Sequence, residues 1–456
     1  MSPPSRIVVI GGGITGVAAA HRLTELTNQS STEVVLLEAE ERLGGKIKTS
    51  EFGNTQIDEG ADAFLLRTPH AVQLASEVGL GNELVSPTAA SAAIWAGKLH
   101  PIPSDLALGV PTSLMSIAKS GLIPPIGLLR AAVDLVRPAS RLDHDSIGEW
   151  TRSRFGYHVH DRLVDALVGS IYGADTDRFS LAAVPQLEAL SQAGRSAILS
   201  GRRMRTSAPA QAGPIFGAPP LGMEQLITST VADMQRRGNG RVRVLSGTPC
   251  ESLQQAGDGW IVNDLEADGV ILATPAHRTA SLVTGGLSTA LGSFETADVA
   301  IVTVRVTAQN WPDHLHGRSG YLVPKSQQRL VTAVSFASQK WAHLAQTDGS
   351  QLLRISLGRD GLPIQHLDDA DLVSHAVEET GDQLGISIDR STARVSRWTN
   401  AFTQYRPHHF QRISNIERQL PATMQLAGAS YRGIGIPACI ADGRRAANDL
   451  LTALAN

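Results

Sequence analysis

Three glycines near the start of the chain have the spacing of a site that binds a dinucleotide. Gly11, Gly13 and Gly16 form the pattern Gly-x-Gly-x-x-Gly between an apolar run and a predicted helix. The first glycine permits a tight turn, the second lets the backbone approach a pyrophosphate, and the third lets the helix pack on the strand. Phosphates would then lie at the positive end of the helix. The predicted contacts are Gly11, Gly12, Gly13, Ile14, Thr15 and Gly16.

An acidic residue stands where a bound dinucleotide needs one. Glu38 ends the second predicted strand, about 20 residues after the glycines, and its carboxylate can accept hydrogen bonds from a ribose diol. The same charge would repel a 2′-phosphate, so the sequence disfavours NADP.

A second glycine-bearing tract follows at once and reads Ala39-Glu40-Glu41-Arg42-Leu43-Gly44-Gly45-Lys46. The two adjacent glycines allow another close backbone approach to the same pyrophosphate, and Arg42 and Lys46 would add positive charge near it. A charged hairpin after a nicotinamide-dinucleotide site is the alternative interpretation of this tract.

A third glycine cluster lies near the other end of the chain. Gly428, Gly433 and Gly435 precede a helix that is predicted to begin near Pro437, because proline is favoured in the first turn of a helix. The positive end of that helix would stabilise negative charge on a bound group. An ordinary Gly-rich junction between a strand and a helix is the alternative.

The elements that position these residues follow from hydrophobic periodicity. Arg6–Ile10 is predicted as a buried parallel strand, 17–26 as a helix and 33–38 as a second strand, which predicts an α/β, Rossmann-like fold. Further strands are predicted at Val242–Leu245, 260–263, 269–273, 299–306, 330–336 and 352–357, with an amphipathic helix at 368–384 and mostly helical structure from 134 to 197.

Composition excludes several classes of protein. The 456 residues exceed one ordinary core, so two or three domains are expected. A formal net charge of −3 gives no overall basic field that would attract nucleic acid. Cys250 and Cys439 are the only cysteines and form no disulfide framework, which fits a reducing cytoplasm. No uninterrupted apolar run has the length of a membrane-spanning helix.

One stretch is predicted to be a basic, mobile linker. No acidic residue lies between Glu188 and Glu224. Proline, glycine and serine then indicate a lack of regular structure. The residues on which this prediction depends are Arg195, Arg202, Arg203, Arg205, Ser207, Pro209, Gly213 and Pro214.

Three tracts carry a resemblance to a known group of flavoproteins. Residues 38–45 are similar to the E-x-x-x-R-x-G-G signature of the amine-oxidase-like superfamily. The tail LAGASYRGIGIPACIADGRRAA (426–447) resembles the closing FAD motif of the bacterial coproporphyrinogen and protoporphyrinogen oxidases. Ile171-Tyr172-Gly173-Ala174-Asp175 is similar to a segment of the porphyrinogen oxidases in particular. The resemblance covers most of the chain, strongly at both ends and weakly in the middle.

The resemblance implies a noncovalent FAD, since the surroundings of Cys439 match no tethering motif. Gly60 would let the backbone lie against the flavin ring, Cys250 would offer a main-chain contact to adenine, and Trp398 would touch the cofactor. Beyond the first glycine motif, the implied FAD contacts are Glu38, Ala39, Arg42, Gly45, Lys46, Gly60, Ala61, Asp62, Ala63, Cys250, Trp398, Gly433, Ile434, Gly435 and Ile436.

Five segments are expected on this basis. The FAD-binding domain is discontinuous and comprises residues 1–86, 212–285 and 397–456. A helical insertion, 87–211, faces the substrate or a membrane, and a mixed substrate-domain sheet occupies 286–396. Two departures from the family pattern stand out: Leu221-Gly222-Met223 replaces Gly-Gly-Met, and Ser91 stands where mitochondrial relatives carry an arginine.

The implied reaction is the oxidation of a colourless porphyrinogen to the aromatic porphyrin, with loss of six hydrogens in three two-electron steps. Hydride would pass to flavin N5, and O2 would reoxidise the flavin and release H2O2. Loss of hydride from a bridging carbon makes the matching pyrrole N–H acidic, so no catalytic acid or base is nominated. Coproporphyrinogen III is the favoured substrate in haem biosynthesis, because the chain looks like the compact enzymes of Gram-positive bacteria; protoporphyrinogen IX is the alternative.

Two further functions share this fold. An amine oxidase or carotenoid desaturase has the Gly-rich ends but lacks the 171–175 type of segment. A GDP-dissociation-inhibitor-like binding protein would keep the fold without flavin, whereas Glu38, Arg42 and the C-terminal glycines suit a bound cofactor.

The remaining expectations concern substrate, membrane and metal. Arg67 and Tyr172 are candidate substrate contacts, with the arginines of 195–205 as a second basic candidate for the carboxylates. The apolar stretch 106–133 fits either a peripheral membrane contact or a buried helical pair. No metal site is predicted, because the histidine pairs lack other ligands at useful spacing. These pairs are His158/His160, His314/His316 and His408/His409. No oligomeric state is specified.

Overall fold

The computed structural model describes residues 6–137, 145–207 and 213–455. The chain divides into two compact units. The first unit comprises Met1–Ser86, Pro214–Glu295 and Phe410–Asn456, and the second comprises Pro87–Gly213 and Thr296–His409.

The strands, numbered along the chain, are β1 Arg6–Ile10, β2 Glu33–Leu37, β3 Thr49–Phe52, β4 Thr55–Asp58, β5 Phe64–Leu65, β6 Ser91–Trp95, β7 Leu99–Pro101, β8 Leu106–Ala107, β9 Val110–Pro111, β10 Phe216–Gly217, β11 Val242–Leu245, β12 Leu253–Ala256, β13 Gly259–Val262, β14 Leu265–Ala267, β15 Gly269–Leu272, β16 Thr296–Val306, β17 Arg318–Leu322, β18 Val331–Phe336, β19 Gln351–Leu357, β20 Arg394–Thr403 and β21 Met424–Leu426.

The α-helices are α1 Ile14–Leu26, α2 Pro69–Glu77, α3 Leu114–Ser120, α4 Pro125–Ala132, α5 Ile147–Phe155, α6 Tyr157–Val159, α7 Ser170–Tyr172, α8 Pro185–Gln192, α9 Ala197–Ser207, α10 Glu224–Gly238, α11 Ala276–Leu282, α12 Gly285–Gly292, α13 Ala337–Lys340, α14 Asp369–Leu384, α15 His409–Glu417 and α16 Ile436–Ala455. A π-helix, His160–Gly169, joins α6 to α7. No helix of the described ranges is both long and apolar enough to cross a membrane.

The first unit is built on a parallel five-stranded sheet. Its strand order is β11-β2-β1-β15-β21, and each neighbouring pair is parallel. The inner strands are almost continuously apolar and buried, as expected when helices cover both faces of a parallel sheet. The predicted Rossmann-like α/β fold is therefore confirmed, and β1 begins and ends where the sequence predicts.

The second unit contains a mixed seven-stranded sheet with the order β20-β16-β19-β18-β17-β6-β7. Only β17 and β6 pair in parallel among its neighbours. Alternate residues of β16, from Ala300 to Val306, are buried in the core beside α14. Asp368 caps α14 in a capping box with Asp371, which explains why the amphipathic helix begins there.

Two of the predicted segment boundaries lie earlier along the chain than the unit boundaries. Predicted boundaries at 285/286 and 396/397 precede the unit boundaries at Glu295 and His409. The second difference has a direct cause, since β20 pairs with β16 as far as Thr403 opposite Thr296 and so stays with the second unit.

The predicted mobile linker is wrong over α9. Helix α9 covers most of the arginine-rich stretch, because buried groups hold its first turn. The Asp134 carboxylate accepts hydrogen bonds from Ser196 Oγ at 2.7 Å and from the Ile198 amide at 3.0 Å. Gly201 packs so closely that a Cβ there would lie 2.9 Å from Thr112. Pro209, which also supported the prediction, lies outside the described residues.

Candidate functional site

The turn between β1 and α1 depends on two glycines for its shape. Gly11 has a φ of +107°, and a Cβ there would lie 2.9 Å from the carbonyl oxygen of Ala273 on the neighbouring strand connection. A Cβ on Gly16 would lie only 1.8 Å from the carbonyl oxygen of Gly11. Any side chain at either position would therefore force the strand and the helix apart.

Gly13, in contrast, is not required for packing between protein groups. A Cβ on Gly13 would meet no protein atom within 4 Å, and the residue is the N-cap of α1 without a side-chain cap. Ile14 and Thr15 in the first helical turn are buried. Because the first amides of a helix have no intrahelical partner, this uncapped end suits an anionic group such as a pyrophosphate.

The second glycine tract lies directly against the first. The Gly44 amide donates to the carbonyl of Gly12 at 2.8 Å, and a Cβ on Gly45 would lie 3.3 Å from the Cα of Gly13. Arg42 donates to the carbonyls of its own loop, at Leu43, Gly45 and Ile47. Its guanidinium thus shapes the Gly44–Gly45 turn, a role that the sequence did not indicate.

Glu38 lies at the end of β2, beside the first glycine turn. Its Oε2 accepts the Gly12 amide at 2.6 Å, and its Oε1 accepts the Glu40 amide at 2.9 Å. A carboxylate oxygen has two acceptor positions, so each oxygen retains capacity for a ribose hydroxyl. Ala39, between these acids, is part of the same short turn.

The loop after β11 adjoins this turn and carries Cys250. The Thr248 amide donates to the carbonyl of Glu38 at 2.8 Å. Cys250 is half-buried, and burial raises the pKa of its thiol to about 11 despite a hydrogen bond to Ser252. A protonated thiol has little reactivity, which supports a main-chain role at this position.

Two acidic residues that directly precede the turn 60–63, Asp58 and Glu59, anchor it to neighbouring elements. Asp58 accepts hydrogen bonds from Thr49 Oγ1 at 2.6 Å and from the Met223 amide at 2.9 Å. Glu59 pairs with Lys48 at 2.9 Å. These bonds fix where β4 ends and where the predicted flavin-side turn begins; the turn is Gly60, Ala61, Asp62 and Ala63.

The C-terminal glycine cluster is a direct neighbour of the N-terminal one. A Cβ on Gly428 would lie 3.5 Å from Thr15 Oγ1, and a Cβ on Gly443 would lie 2.3 Å from the carbonyl oxygen of Thr15. Gly433 has a φ of +128° and faces Ala438 across the turn into α16. The two ends of the chain thus meet at one edge of the sheet, with Gly433, Ile434, Gly435 and Ile436 at the start of α16.

Side chains that the sequence interpretation missed fasten this closing turn. Tyr431 is buried, and its hydroxyl lies 2.9 Å from Thr279 Oγ1. The Ala276 amide donates to Ser430 Oγ at 3.0 Å. Asp442, on α16, accepts the Gly428 amide at 2.8 Å. No periodic pattern in the sequence marks such contacts. The only available signal was an acidic residue, Asp442, within the otherwise mostly apolar start of the closing helix.

Several ionisable groups at this sheet edge have shifted pKa values. Protein around the Lys46 ammonium lowers its pKa by desolvation, although the side chain still reaches solvent. Burial lowers the pKa of the His277 imidazole, and Arg278 and Lys46 lower it further. Burial raises the pKa of the Cys439 thiol to about 11, although a hydrogen bond with Thr15 and the charge of Lys46 both lower it. A protonated Cys439 is no nucleophile, which supports a noncovalent cofactor.

Three residues named from the sequence belong to elements other than those that carry the glycine clusters. Arg67 is exposed in the first unit and has no hydrogen-bond or ion-pair partner in the described residues. Trp398 lies on β20 and Tyr172 ends α7, both in the second unit. The Tyr172 ring packs on Phe179 with centroids 5.1 Å apart, and burial raises the pKa of its phenol.

Tyr172 belongs to a segment that a buried ion pair and its hydrogen bonds hold in place. Asp165 of the π-helix and Arg359 form a bidentate pair with two contacts of 2.8 Å, and both side chains are inaccessible to solvent. Arg359 also donates to the Ala174 carbonyl, and Thr176 donates to Asp165 at 2.6 Å. The porphyrinogen-oxidase-like segment 171–175 is therefore fixed to the loop after β19.

The arrangement fits a bound dinucleotide on its donor chemistry. An uncapped helix start, two facing glycine turns and a carboxylate with free acceptor positions lie together at the carboxyl edge of the parallel sheet, where such ligands bind. Within 6–137, 145–207 and 213–455, no group of three or more His, Cys, Asp or Glu residues is arranged to hold a metal ion.

Comparisons with known proteins agree with this geometry. A coproporphyrinogen III oxidase of Bacillus subtilis (strain 168) is 31% identical over 98% of this chain and 98% of its own length. A protein of the same name from Mycobacterium bovis is 32% identical over 99% of this chain and 98% of its own. A crystal structure from Exiguobacterium sp. 255-15, named as a protoporphyrinogen oxidase, has a TM-score of 0.85 at 27% identity and covers 99% of this chain and 100% of its own.

The flavin-containing amine oxidoreductase model matches residues 14–451, almost the whole chain. Its match includes Gly16, the Gly44–Gly45 turn and the C-terminal glycine cluster, which the fold brings together. The chain therefore belongs to the family of flavin-containing amine oxidoreductases, and FAD is its cofactor.

Proposed function

We propose that this protein is a coproporphyrinogen III oxidase of haem biosynthesis that uses FAD and O2. The observation that carries the proposal is full-length identity above 30% to proteins of that name from two bacterial groups. The segment 171–175, similar to the porphyrinogen oxidases in particular, favours this activity over an amine oxidase or carotenoid desaturase.

The proposed cofactor contacts are distributed over the sheet edge. Bound FAD would accept hydride from the substrate and pass the electrons to O2. Glu38 would hold the adenosine ribose, the first turn of α1 and the Gly44–Gly45 turn would bind the pyrophosphate, and the start of α16 would face negative charge on the ring. Turn 60–63 and Trp398 would border the flavin.

Arg67 is proposed to bind a carboxylate of the substrate. It follows β5 beside Leu65, and Phe216 of β10 lies directly opposite Leu65 in the ribbon. Leu65 and Phe216 have 40% and 44% of their surface in solvent, and Arg67 is exposed as well. An exposed cation beside exposed apolar groups suits a tetrapyrrole, which has a broad apolar face and charged propionates. Tyr172 is proposed as a second contact.

The test of these contacts compares two arginines. Arg67→Gln should raise KM for coproporphyrinogen III about tenfold or more with little change in flavin content. Arg202→Gln, in the exposed basic stretch of α9, is the matched variant and should leave KM unchanged. A rise in KM only in Arg202→Gln would indicate that the substrate carboxylate binds at α9. Equal KM values in the wild type and both variants would show that Arg67 does not bind the substrate.

The activity itself is tested with the pure protein in air. Coproporphyrinogen III and protoporphyrinogen IX are supplied separately, and porphyrin fluorescence and H2O2 are followed. Faster conversion of coproporphyrinogen III is expected, and preparations stripped of FAD should be inactive until FAD is restored. Preference for protoporphyrinogen IX would select the function named for the Exiguobacterium structure, and inactivity with both would reject a porphyrinogen oxidase.

We also propose a cytoplasmic location, with a peripheral membrane contact at α3, α4 and the turn after α4. Met115, Ile126, Leu129 and Val136 have 64–81% of their surface in solvent, and the neighbouring Lys119 is exposed. Apolar side chains beside a cation suit the interface of an anionic bilayer. Both cysteines are free, as expected in a reducing compartment.

Flotation with anionic liposomes at low salt tests this contact. The wild-type chain should float, and the double substitution Leu129→Gln/Val136→Gln should abolish flotation. Leu221→Gln, at an equally exposed leucine of the first unit, is the control and should float like the wild type. A wild-type chain that remains at the bottom of the gradient would reject the membrane contact.

A further inference from the structure

Asp442 is a buried acid in the second turn of α16. Only 4% of its surface is accessible. Its Oδ2 accepts the amide of Gly428 at 2.8 Å, and its Oδ1 accepts Arg445 Nε at 2.7 Å. The carboxylate thus joins the first glycine of the closing turn to the helix that the turn leads into.

Arg445 extends the connection to the sheet. Its Nη2 donates to the carbonyl of Leu426, the last residue of β21, at 2.7 Å. Its Nη1 donates to Asp449 at 2.8 Å, one turn further along α16. Burial of a carboxylate is unfavourable unless the charge is paired and hydrogen-bonded, and Arg445 and the Gly428 amide supply these partners.

The position of Asp442 along α16 links it to both glycine clusters. Gly443, its neighbour in the chain, is the residue whose missing side chain lets α16 approach Thr15 of α1. Gly428, its hydrogen-bond partner, also lies against Thr15. One helical turn therefore fixes how the closing turn and the start of α16 are set relative to the start of α1.

We propose that Asp442 is a positioning residue for the cofactor: by accepting the Gly428 amide, it sets the closing turn and the first amides of α16 where FAD is held. The inference rests on the FAD-dependent function above and assigns no step of the reaction to Asp442. The carboxylate acts through main-chain groups, because Asp442 is only 4% accessible and its oxygens accept hydrogen bonds from Gly428 and Arg445.

The experiment measures FAD binding by the full-length chain rather than turnover. Asp442→Ala should raise the Kd for FAD at least about tenfold and reduce the rise in Tm that FAD produces. Asp442→Asn keeps an oxygen acceptor for the Gly428 amide, although its amino group then faces Arg445 Nε, and it should bind FAD more tightly than Asp442→Ala. Asp449→Asn removes the exposed carboxylate partner of the same arginine and is the matched control with an unchanged Kd.

The visible absorption spectrum of bound flavin is a second measurement, and a loss of protein stability alone would not change the shape of its band. Its band shape should change in loaded Asp442→Ala and not in the Asn or Asp449 variants. The assignment is overturned if Asp442→Ala binds FAD like the wild type, if Asp449→Asn is equally impaired, or if Asn fails to restore affinity. Should Asp442→Ala not accumulate, Asp442→Ser, whose hydroxyl stops short of Gly428, replaces it. A wild-type chain that binds FAD but oxidises neither porphyrinogen would reject the enzyme proposal and leave this test intact.

Discussion

Glycines and main-chain hydrogen bonds shape the sheet edge of the first unit, whereas buried charges hold the 171–175 segment of the second. At the sheet edge, Gly11, Gly16 and Gly443 let backbones approach each other, with Cβ positions that would lie 1.8–2.9 Å from a carbonyl oxygen. Around 171–175, Asp165 and Arg359 meet with essentially no solvent access.

The two solutions suit two kinds of task. A backbone cradle presents amides to a ligand and needs residues without side chains, since any side chain would fill the space the ligand requires. A buried ion pair positions a loop through long side chains from distant parts of the chain, and it is costly to break because each charge depends on the other. The first site should therefore be sensitive to added atoms and the second to removed charges.

The largest effect is expected from breaking the buried pair. Arg359→Met leaves the Asp165 carboxylate uncompensated and should lower the free energy of unfolding by about 3–5 kcal/mol. Urea titration followed by fluorescence measures this. The double variant Asp165→Leu/Arg359→Met removes both charges and should regain most of the loss. A single variant that costs less than about 1 kcal/mol would contradict the dependence of 171–175 on this pair.

A pair of alanine substitutions separates the packing glycine from the ligand glycine. Gly16→Ala places a Cβ against the Gly11 carbonyl and should cost about 3 kcal/mol in the free energy of unfolding. Gly13→Ala meets no protein atom and should change it by less than about 1 kcal/mol, while FAD affinity falls strongly. Thermal unfolding of the FAD-free protein and FAD titration measure the two effects. Equal stability losses in both variants would remove the distinction.

A substitution of Glu38 tests the proposed polar contact with the ribose of FAD. Glu38→Gln weakens a charge-assisted contact with the ribose and should reduce FAD affinity by about 1.5–3 kcal/mol. Glu40→Gln, at a neighbouring acid whose side chain is 66% exposed, is the control and should bind FAD normally. Unchanged affinity in Glu38→Gln would place the ribose elsewhere.

The smallest expected effect is the pH dependence of the stability that the Asp165–Arg359 pair gives to the second unit. Burial alone would raise the pKa of Asp165, but hydrogen bonds and the charge of Arg359, with help from Thr176, hold it below its ordinary value. Because the folded pKa is depressed, the stabilisation is complete above the ordinary pKa near about 4 and is lost as pH falls through the folded pKa. The Asp165→Leu/Arg359→Met variant should therefore lose less stability than the wild type between neutral and acid pH. Parallel curves would contradict this assignment.

The sequence interpretation succeeded where the signal was local. The Gly11–Gly16 motif and the alternating or continuous apolar runs of β1, β15 and β16 are readable within ten residues of chain. It failed where a distant group decides. Helix α9 depends on the Asp134 carboxylate, and the closing turn depends on Tyr431, Thr279 and Asp442, none of which has a periodic or compositional signature. Helix α1 begins at Ile14 rather than at the predicted residue 17, because Gly13 acts as its N-cap.

The strand order of the first sheet has a consequence for how the protein is made. Strand β15 lies between β1 and β21, so the earliest and the latest parts of the chain share one sheet. A nascent chain on the ribosome cannot complete this sheet until β21 and α16 have emerged. We therefore expect FAD capture to follow the emergence of β21 and α16, and a stop codon before residue 424 to yield a product that retains no flavin.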